Sequence, residues 1–429
     1  MFIASIFSVI AFNYYAQVKL VFLLICALSE AKGMVIKMKV VVLGGAGLQG
    51  RAVLYDLSNS QDVKEIVCVD ADFKGVDSFQ QHLDMSKISK KRVDVTNKDS
   101  LAELFKENVD VVIDVLPKQF NAIAADAAVE AGVNIVNCSY ASALSEDIYG
   151  KAENAGVTVL PEAGLDPGID LVLCGYAVSQ LDEVYDLYSF TGGMPEKSIA
   201  AANPLKYKVT WNFYNTLLSY YRPAKIMKDG KVIEIPAADQ NREKWKLDLS
   251  LSGIDGLEAF PNGDAVRFAQ LLGIEETVRN TERRAIRWAG HMEFWSNMVD
   301  LGFFEEKTVP GLPAAITPTE FLAAHLGPRL QYKDDEKDLV LMKNIIRGKK
   351  DGKNVEYIYE LAMERNLEIG LYAMNMSVGY TASIAAQMIV NKVITKTGVL
   401  NPITDIPYQT FIKELSDRGI QIIESKRFI

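Results

Sequence analysis

The sequence predicts an α/β protein, a doubly wound parallel sheet followed by an α+β domain with a mixed or antiparallel sheet. Three observations carry this. Apolar β-branched runs alternate with helix-like stretches from Met38 to about Gly168. A glycine-rich turn, Gly45-Ala46-Gly47-Leu48-Gln49-Gly50, joins the first run to the first helix-like stretch. Beyond Asp170 the runs alternate in polarity and are separated by tight-turn signals, the pattern of antiparallel strands.

The elements follow in order. Val40–Leu43 is a continuous apolar run, as in a strand buried on both faces. Arg51–Ser58 reads as a helix, and Glu65–Val69 as the next strand, ending at Asp70. Val93–Val95 reads as a short strand and Asp99–Asn108 as a helix. Val111–Leu116 is a buried strand, Phe120–Ala131 a helix and Asn134–Val136 a strand. A further helix ends at Gly156, before the strand Val157–Leu160. Right-handed crossovers then give a Rossmann arrangement, whose ligands lie beyond the carboxyl ends of the strands. The loops Pro117-Lys118-Gln119, Cys138-Ser139-Tyr140 and Glu162–Gly168 therefore face a cleft.

In the second part, Tyr185–Thr191 reads as a strand ending in Gly192-Gly193. Asn203-Pro204 reads as the cap and first turn of a helix. Its apolar face is Tyr207, Trp211, Tyr214 and Leu218, and its polar face Lys208, Asn212, Asn215 and Ser219. Ala224–Met227 and Val232–Ile235 flank a hairpin turn, and Arg283–Trp288 is a strand. Lys337–Arg347 and Asn354–Glu364 pair across Gly-Lys-Lys-Asp-Gly, and Met376–Val393 is a small-residue helix that can return to the first domain. The expected units are an apolar extension over 1–33, a cofactor domain over 38–168, a substrate and dimerisation domain over 169–375, and a returning segment over 376–429.

The glycine turn has a chemical reading. Gly45 permits the turn, Gly47 lets backbone N–H groups reach a pyrophosphate, and Gly50 lets the helix pack on the strand. The helix start adds partial positive charge for the phosphates. Asp70 lies where an acid holds ribose hydroxyls and repels a 2′-phosphate, so NAD is expected over NADP. Asp94 is placed near the adenine. Ala46, Leu48 and Gln49 complete the turn, and Leu116, Pro117 and Ser139 are further expected cofactor-binding residues.

Composition excludes other classes. There are 46 Lys+Arg against 55 Asp+Glu, a net charge of −9, which argues against a general nucleic-acid binder. Hydrophobic residues make up 49%, which excludes a disordered chain. The 33-residue head is apolar, with Lys19, Glu30 and Lys32 as its charges. It reads first as translation from upstream of a true start at Met34 or Met38. A membrane anchor is the second reading, and an ordered extra helix the third. Cys26, Cys68, Cys138 and Cys174 form no C-x-x-C pair, and His82, His291 and His325 are too scattered for metal ligation. No metal is expected. Free thiols suit a reducing, cytoplasmic setting.

Several segments resemble the saccharopine dehydrogenase family. They are GAGLQG at 45–50, EAGLDPGID at 162–170, TGGMP at 191–195 and NPLKYKVTW at 203–211. GHMEF at 290–294, GKKDGKNVEYIYEL at 348–361 and YTASIAAQ at 380–387 are more like its lysine 6-dehydrogenase branch. Ser139-Tyr140-Ala141-Ser142 is similar to the S-Y-x-S of glutamate-forming saccharopine reductases, which often use NADP. The resemblance covers Met38 to near the C-terminus. It implies an NAD-dependent oxidoreductase acting on an amino-acid carbon–nitrogen bond, first the ε-amine of lysine. The alternative is a glutamate-forming saccharopine dehydrogenase, and a non-catalytic NAD sensor is a reading of another class. It also implies a dimer or tetramer.

Hydride leaves carbon only when nitrogen can push with its lone pair, so a proton acceptor is needed. Lys208, Tyr207 and His291 are the candidates, His291 titrating nearest neutrality. Asp166 and Glu162 are placed to meet substrate ammonium groups, with Asp166 also read as a turn residue before Pro167. Arg222 and, more weakly, Arg267 could clamp a carboxylate. Gly192 and Gly193 either let backbone approach substrate or end a strand. Tyr140 completes the expected substrate side.

Overall fold

A computed structural model describes residues 37–312 and 314–429. The apolar head and Cys26 lie outside the described residues. Six parallel strands come first: β1 (Met38–Leu43), β2 (Val63–Val69), β3 (Ile88–Lys91), β4 (Val111–Asp114), β5 (Asn134–Asn137) and β6 (Thr158–Leu160). They order as β6-β5-β4-β1-β2-β3, and Gly398–Val399 adds a seventh strand beyond β6. Every side chain from Val40 to Leu43 is fully buried, because helices cover both faces of the sheet.

The helix Ile169–Ser179 leads into a second, nine-stranded sheet. Its strands are β7 (Glu183–Pro195), β8 (Ala224–Lys228), β9 (Lys231–Ile235), β10 (Leu247–Leu251), β11 (Ile254–Pro261), β12 (Asn280–Trp288), β13 (Asp338–Lys350) and β14 (Lys353–Glu364). Taking Gly398–Val399 as β15, the last strand is β16 (Ile423–Phe428). The order is β10-β11-β12-β7-β13-β14-β16, with the β8–β9 hairpin against β12. Only β12 and β7 run parallel, so the sheet is mixed.

The chain returns to the first domain through the helix Ala373–Val390. A Cβ on Gly379 would stand 2.8 Å from Gln49 O and from the Ala52 Cβ, so this helix and Leu48–Asn59 need a glycine where they touch. Ser383 Oγ and Gln387 Nε2 donate to Asp56 at 2.6 and 3.2 Å, and Arg418 Nε closes the group at 2.5 Å. β16 then goes back to the second sheet and pairs with β14.

Two expected elements are replaced. Val93–Val95 is not a strand; Ile88–Lys91 is the edge strand, in register with Ile66–Val69. The helix expected from Asn203 begins ten residues later, as Phe213–Ser219 capped by Asn212. Asn203 instead turns the chain locally, its side chain bonding Leu205 N and Tyr207 O, and Lys206 sits at φ +49. Val209 N donates to Leu330 O, so this segment bonds across the domain and not along a helix. Among the described residues no helix is long and apolar enough to cross a membrane.

Candidate active site

The glycine turn is built for close approach. Gly44 N and Gly45 N donate to Val69 O, tying the turn to the end of β2. A Cβ on Gly50 would fall 2.2 Å from Gly44 O, so the helix Leu48–Asn59 could not start there with any other residue. Asp70 stands at the carboxyl end of β2. Its Oδ2 accepts from Ala46 N at 2.9 Å and its Oδ1 from Ala71 N at 2.8 Å. Asp94 accepts from Thr96 N and Oγ1 in the loop after β3. A strand end, a tight glycine turn and a helix start fit a dinucleotide pyrophosphate.

Beside the turn opens a cavity of about 1070 Å³. One wall comes from the first sheet: Leu48 and Gln49, then the loop Val115–Gln119 after β4, then Cys138, Ser139 and Tyr140 after β5. Gly164–Pro167 after β6 forms one side, and Met374 and Val378 of the returning helix also line it. The facing wall is the second sheet and the segment before β8. It presents Thr191–Gly193 of β7, Ala285 and Arg287 of β12, then Trp211, Asn212, Asn215, Leu218, Ser219 and Arg222. The polar residues Asn212, Asn215 and Ser219 therefore do share one face, though Lys208 does not join them.

Each wall has its own electrostatics. Arg287 is buried, donating through Nη1 to Ile286 O at 2.8 Å and through Nε to Tyr220 Oη at 3.4 Å. Arg222 donates to Asn262 Oδ1. Among the described residues neither guanidinium has an acidic partner, although both line the cavity. Arg283, two residues before Ala285 on the same strand face, is saturated with acid. It pairs with Asp166 and with Asp170 at 2.8 Å, and its Nη1 donates to Tyr140 Oη at 3.0 Å. Burial pushes the Asp170 carboxyl up to about 7, against hydrogen bonds from the backbone N–H groups of Gly168 and Leu171. On the opposite wall burial pushes Asp114 up to about 6, against hydrogen bonds from Asn121 Nδ2 and Leu116 N. The Cys138 thiol is raised to about 12 by burial and is not a nucleophile at neutral pH.

The expected proton acceptors are elsewhere. His291 is packed behind the wall, with Nδ1 2.9 Å from Leu205 O and Nε2 2.9 Å from Tyr220 Oη. Trp295 Nε1 donates to the same Nε2, and burial holds the ring down at about 3, so His291 is a neutral core residue. Tyr207 is also core, its hydroxyl 3.3 Å from Thr216 Oγ1 and its ionisation raised by burial. Lys208 points to Glu336 at 2.5 Å and Gln331 O at 3.0 Å, stapling the 203–212 segment to the chain before β13. None of the three lines the cavity.

Glu162 does not line it either. It is buried, accepts from Ala141 N at 3.1 Å and faces Arg267 at 3.8 Å, so it braces the loop after β5. Asp166 does line the cavity, but Arg283 already neutralises its charge. Tyr140, Gly192, Gly193 and Arg222 line the cavity, as do Leu116, Pro117 and Ser139. Gly192 is required by strand packing, since a Cβ there would lie 2.3 Å from Ile286 O. Arg287 was not foreseen. Its signal is two arginines four residues apart, Arg283 and Arg287, on one face of a strand with Ala285 between them.

Residues 40–160 match the family model described as the saccharopine dehydrogenase NADP binding domain. Residues 164–420 match the saccharopine dehydrogenase C-terminal domain. The chain belongs to the saccharopine dehydrogenase family. It is 23% identical to the mitochondrial alpha-aminoadipic semialdehyde synthase of Mus musculus, over 90% of this chain and 47% of that protein. It is 26% identical to the NADP(+), L-glutamate-forming saccharopine dehydrogenase of Saccharomyces cerevisiae, over 90% of this chain and 99% of that protein. The chain thus spans about half the length of the semialdehyde synthases it matches. Apo saccharopine dehydrogenase (L-Glu forming) from the same yeast has the same fold, with a TM-score of 0.77 at 24% identity, covering 91% of this chain and 100% of that one. Within the family these relatives favour the glutamate-forming alternative over lysine deamination. They also give no support to NAD over NADP.

Proposed function

We propose that this chain is a nicotinamide-dependent oxidoreductase of the glutamate-forming saccharopine type. It would reversibly join glutamate to an aminoadipate-derived aldehyde through a secondary amine. The observation that carries this reading is the pair of cavity-lining guanidiniums, Arg222 and Arg287, which have no acidic partner among the described residues. A buried guanidinium without a counter-ion is costly, and a substrate carboxylate would relieve it. Saccharopine carries three carboxylates, lysine one. The names of the curated relatives support the same substrate.

When bound, the nicotinamide takes or gives the hydride at the amine-bearing carbon. The rest is the work of this chain. Leu116, Pro117 and Ser139 wall the reaction side, and Arg222 and Arg287 would hold carboxylates so that the carbon–nitrogen bond faces that wall. In the cleavage direction water adds to the oxidised carbon–nitrogen bond. Protons must then leave that water and reach the departing amine nitrogen. With His291, Lys208 and Tyr207 outside the cavity, Tyr140 is the group we assign to this relay. Tyr140 lines the cavity, and its hydroxyl is held by Arg283.

For the cofactor, NADP is the first reading, supported by the family description and the yeast relative's name. Asp70 accepts from Ala46 N of the turn and from its own neighbour Ala71 N, so it acts first as a brace. NAD is the second reading, favoured by the position of Asp70 at the strand end. The test is an absorbance assay with saccharopine or L-lysine, each offered with NADP or NAD. Reduction of NADP by saccharopine, with none by lysine, is expected. Lysine turnover without saccharopine turnover would return the chain to the lysine 6-dehydrogenase reading. Cofactor binding with no turnover would leave a sensor.

A further inference from the structure

We infer that Lys118 is a specificity-determining residue, which binds a third substrate carboxylate from the cofactor-domain wall. This role rests on the proposed function and extends it, because Arg222 and Arg287 provide for carboxylates on the facing wall only.

Local structure fixes where Lys118 stands. β4 is buried throughout, and its last residue, Asp114, holds the loop that follows. Asp114 Oδ1 accepts from Leu116 N at 3.0 Å and Oδ2 from Asn121 Nδ2 at 2.7 Å, so one side chain ties both ends of the loop. Val115 N donates to Leu43 O and Phe120 N to Pro117 O. Pro117 adds its own restriction on φ. Lys118 then opens the short 3₁₀ turn Lys118–Phe120. It is exposed, lines the cavity, and follows directly on Leu116 and Pro117 of the reaction side.

Charge decides what it does there. Among the described residues the cavity is lined by two acids, Asp114 and Asp166, and by three cations, Lys118, Arg222 and Arg287. Both acids are committed, Asp114 to Leu116 and Asn121, and Asp166 to Arg283. None of the three cations has a carboxylate of the described residues within ion-pair distance. Lys91, Lys98 and Lys151 of the same domain each have one. Three like charges around one cleft draw in an anion and repel a cation. Lysine brings one carboxylate and two ammonium groups, whereas saccharopine brings three carboxylates, one for each cation. The three positions also differ in kind. Arg287 is buried and Arg222 half-buried, and their planar forks suit paired hydrogen bonds to a carboxylate. Lys118 is an exposed point charge on a flexible stem, which suits the carboxylate nearest solvent. A substrate held by all three is gripped from both walls.

The test is calorimetric titration of saccharopine and of L-lysine into the full chain loaded with NADPH, so that nothing turns over. Wild type, Lys118→Met and Lys118→Arg are compared. The side chain is exposed and packs no core, so the variants keep the fold. Lys118→Met should raise the Kd for saccharopine about tenfold, the size of one charge-assisted hydrogen bond, and leave that for L-lysine unchanged. Lys118→Arg should stay within about threefold of wild type. Raising salt from about 0.05 M to about 0.5 M should shrink the difference between wild type and Lys118→Met, since the contact is exposed. An equal saccharopine Kd in wild type and Lys118→Met overturns the role of Lys118 and leaves the proposed function standing. A weakened NADPH affinity with saccharopine binding unchanged also overturns it, placing the ammonium on the cofactor phosphates. No saccharopine binding by wild type would overturn both.

Discussion

The two walls of the cavity work by different means. The parallel-sheet wall is made of strand ends, a glycine turn and short loops, and it offers backbone N–H groups and a helix start. The mixed-sheet wall offers side chains, above all Arg222 and Arg287, which have no acidic partner among the described residues, beside Arg283 with two. Backbone donors suit a phosphate-bearing cofactor common to many reactions. Unpaired guanidiniums suit a substrate that brings its own carboxylates. The difference teaches where the proposed function places specificity: the first wall would select the hydride carrier and the second the acid.

The sharpest way to break this division is at the turn. Gly50→Val puts side-chain atoms into Gly44 O and should abolish NADP binding by fluorescence titration, with a stability loss of about 1–3 kcal/mol in urea. Retained cofactor affinity would mean that the turn is not the phosphate site. Next in size, Tyr140→Phe should lower kcat about 100-fold with little change in cofactor affinity. A near-normal kcat would move the proton relay to another group.

A third change tests the core behind the far wall. His291 is held near 3 in the fold against an ordinary 6.5. As pH falls from 6.5 toward 3, the unfolded chain takes up a proton that the folded chain refuses, and stability drops over that window. His291→Gln should flatten the acid side of the melting-temperature profile while leaving the pH dependence of kcat where it was. A shifted kcat profile would restore His291 to the chemistry. The smallest effect is expected from Cys138→Ser, because the thiol is buried and raised to about 12. Turnover should change less than about threefold, and alkylation of the native protein should be slow.

The same division explains what could be read from sequence. Strands buried on both faces announce themselves as runs such as Val40–Leu43, and the glycine turn is contiguous, so the first wall was legible residue by residue. The second wall gathers residues 191–193, 211–222, 285 and 287 from separate elements, and no local spacing marks them as neighbours. Two errors had local causes. Asn203 and Pro204 look like a helix start, but Asn203 bonds its own loop and Lys206 takes a left-handed turn. His291 looks like a base, yet its ring nitrogens are used up by Leu205, Tyr220 and Trp295. Arg287 lies inside the strand Arg283–Trp288, which carries no motif of its own.

The central claim is that the far wall chooses an acid-rich amine. It is tested most directly by the ratio of kcat/KM for saccharopine to kcat/KM for L-lysine, measured with NADP in wild type and in Arg287→Met. The account predicts a wild-type ratio above about 1000, and a fall of about 100-fold in the variant from the loss of a charged, two-point contact worth roughly 3 kcal/mol. An unchanged ratio, or a wild type that prefers lysine, would contradict it.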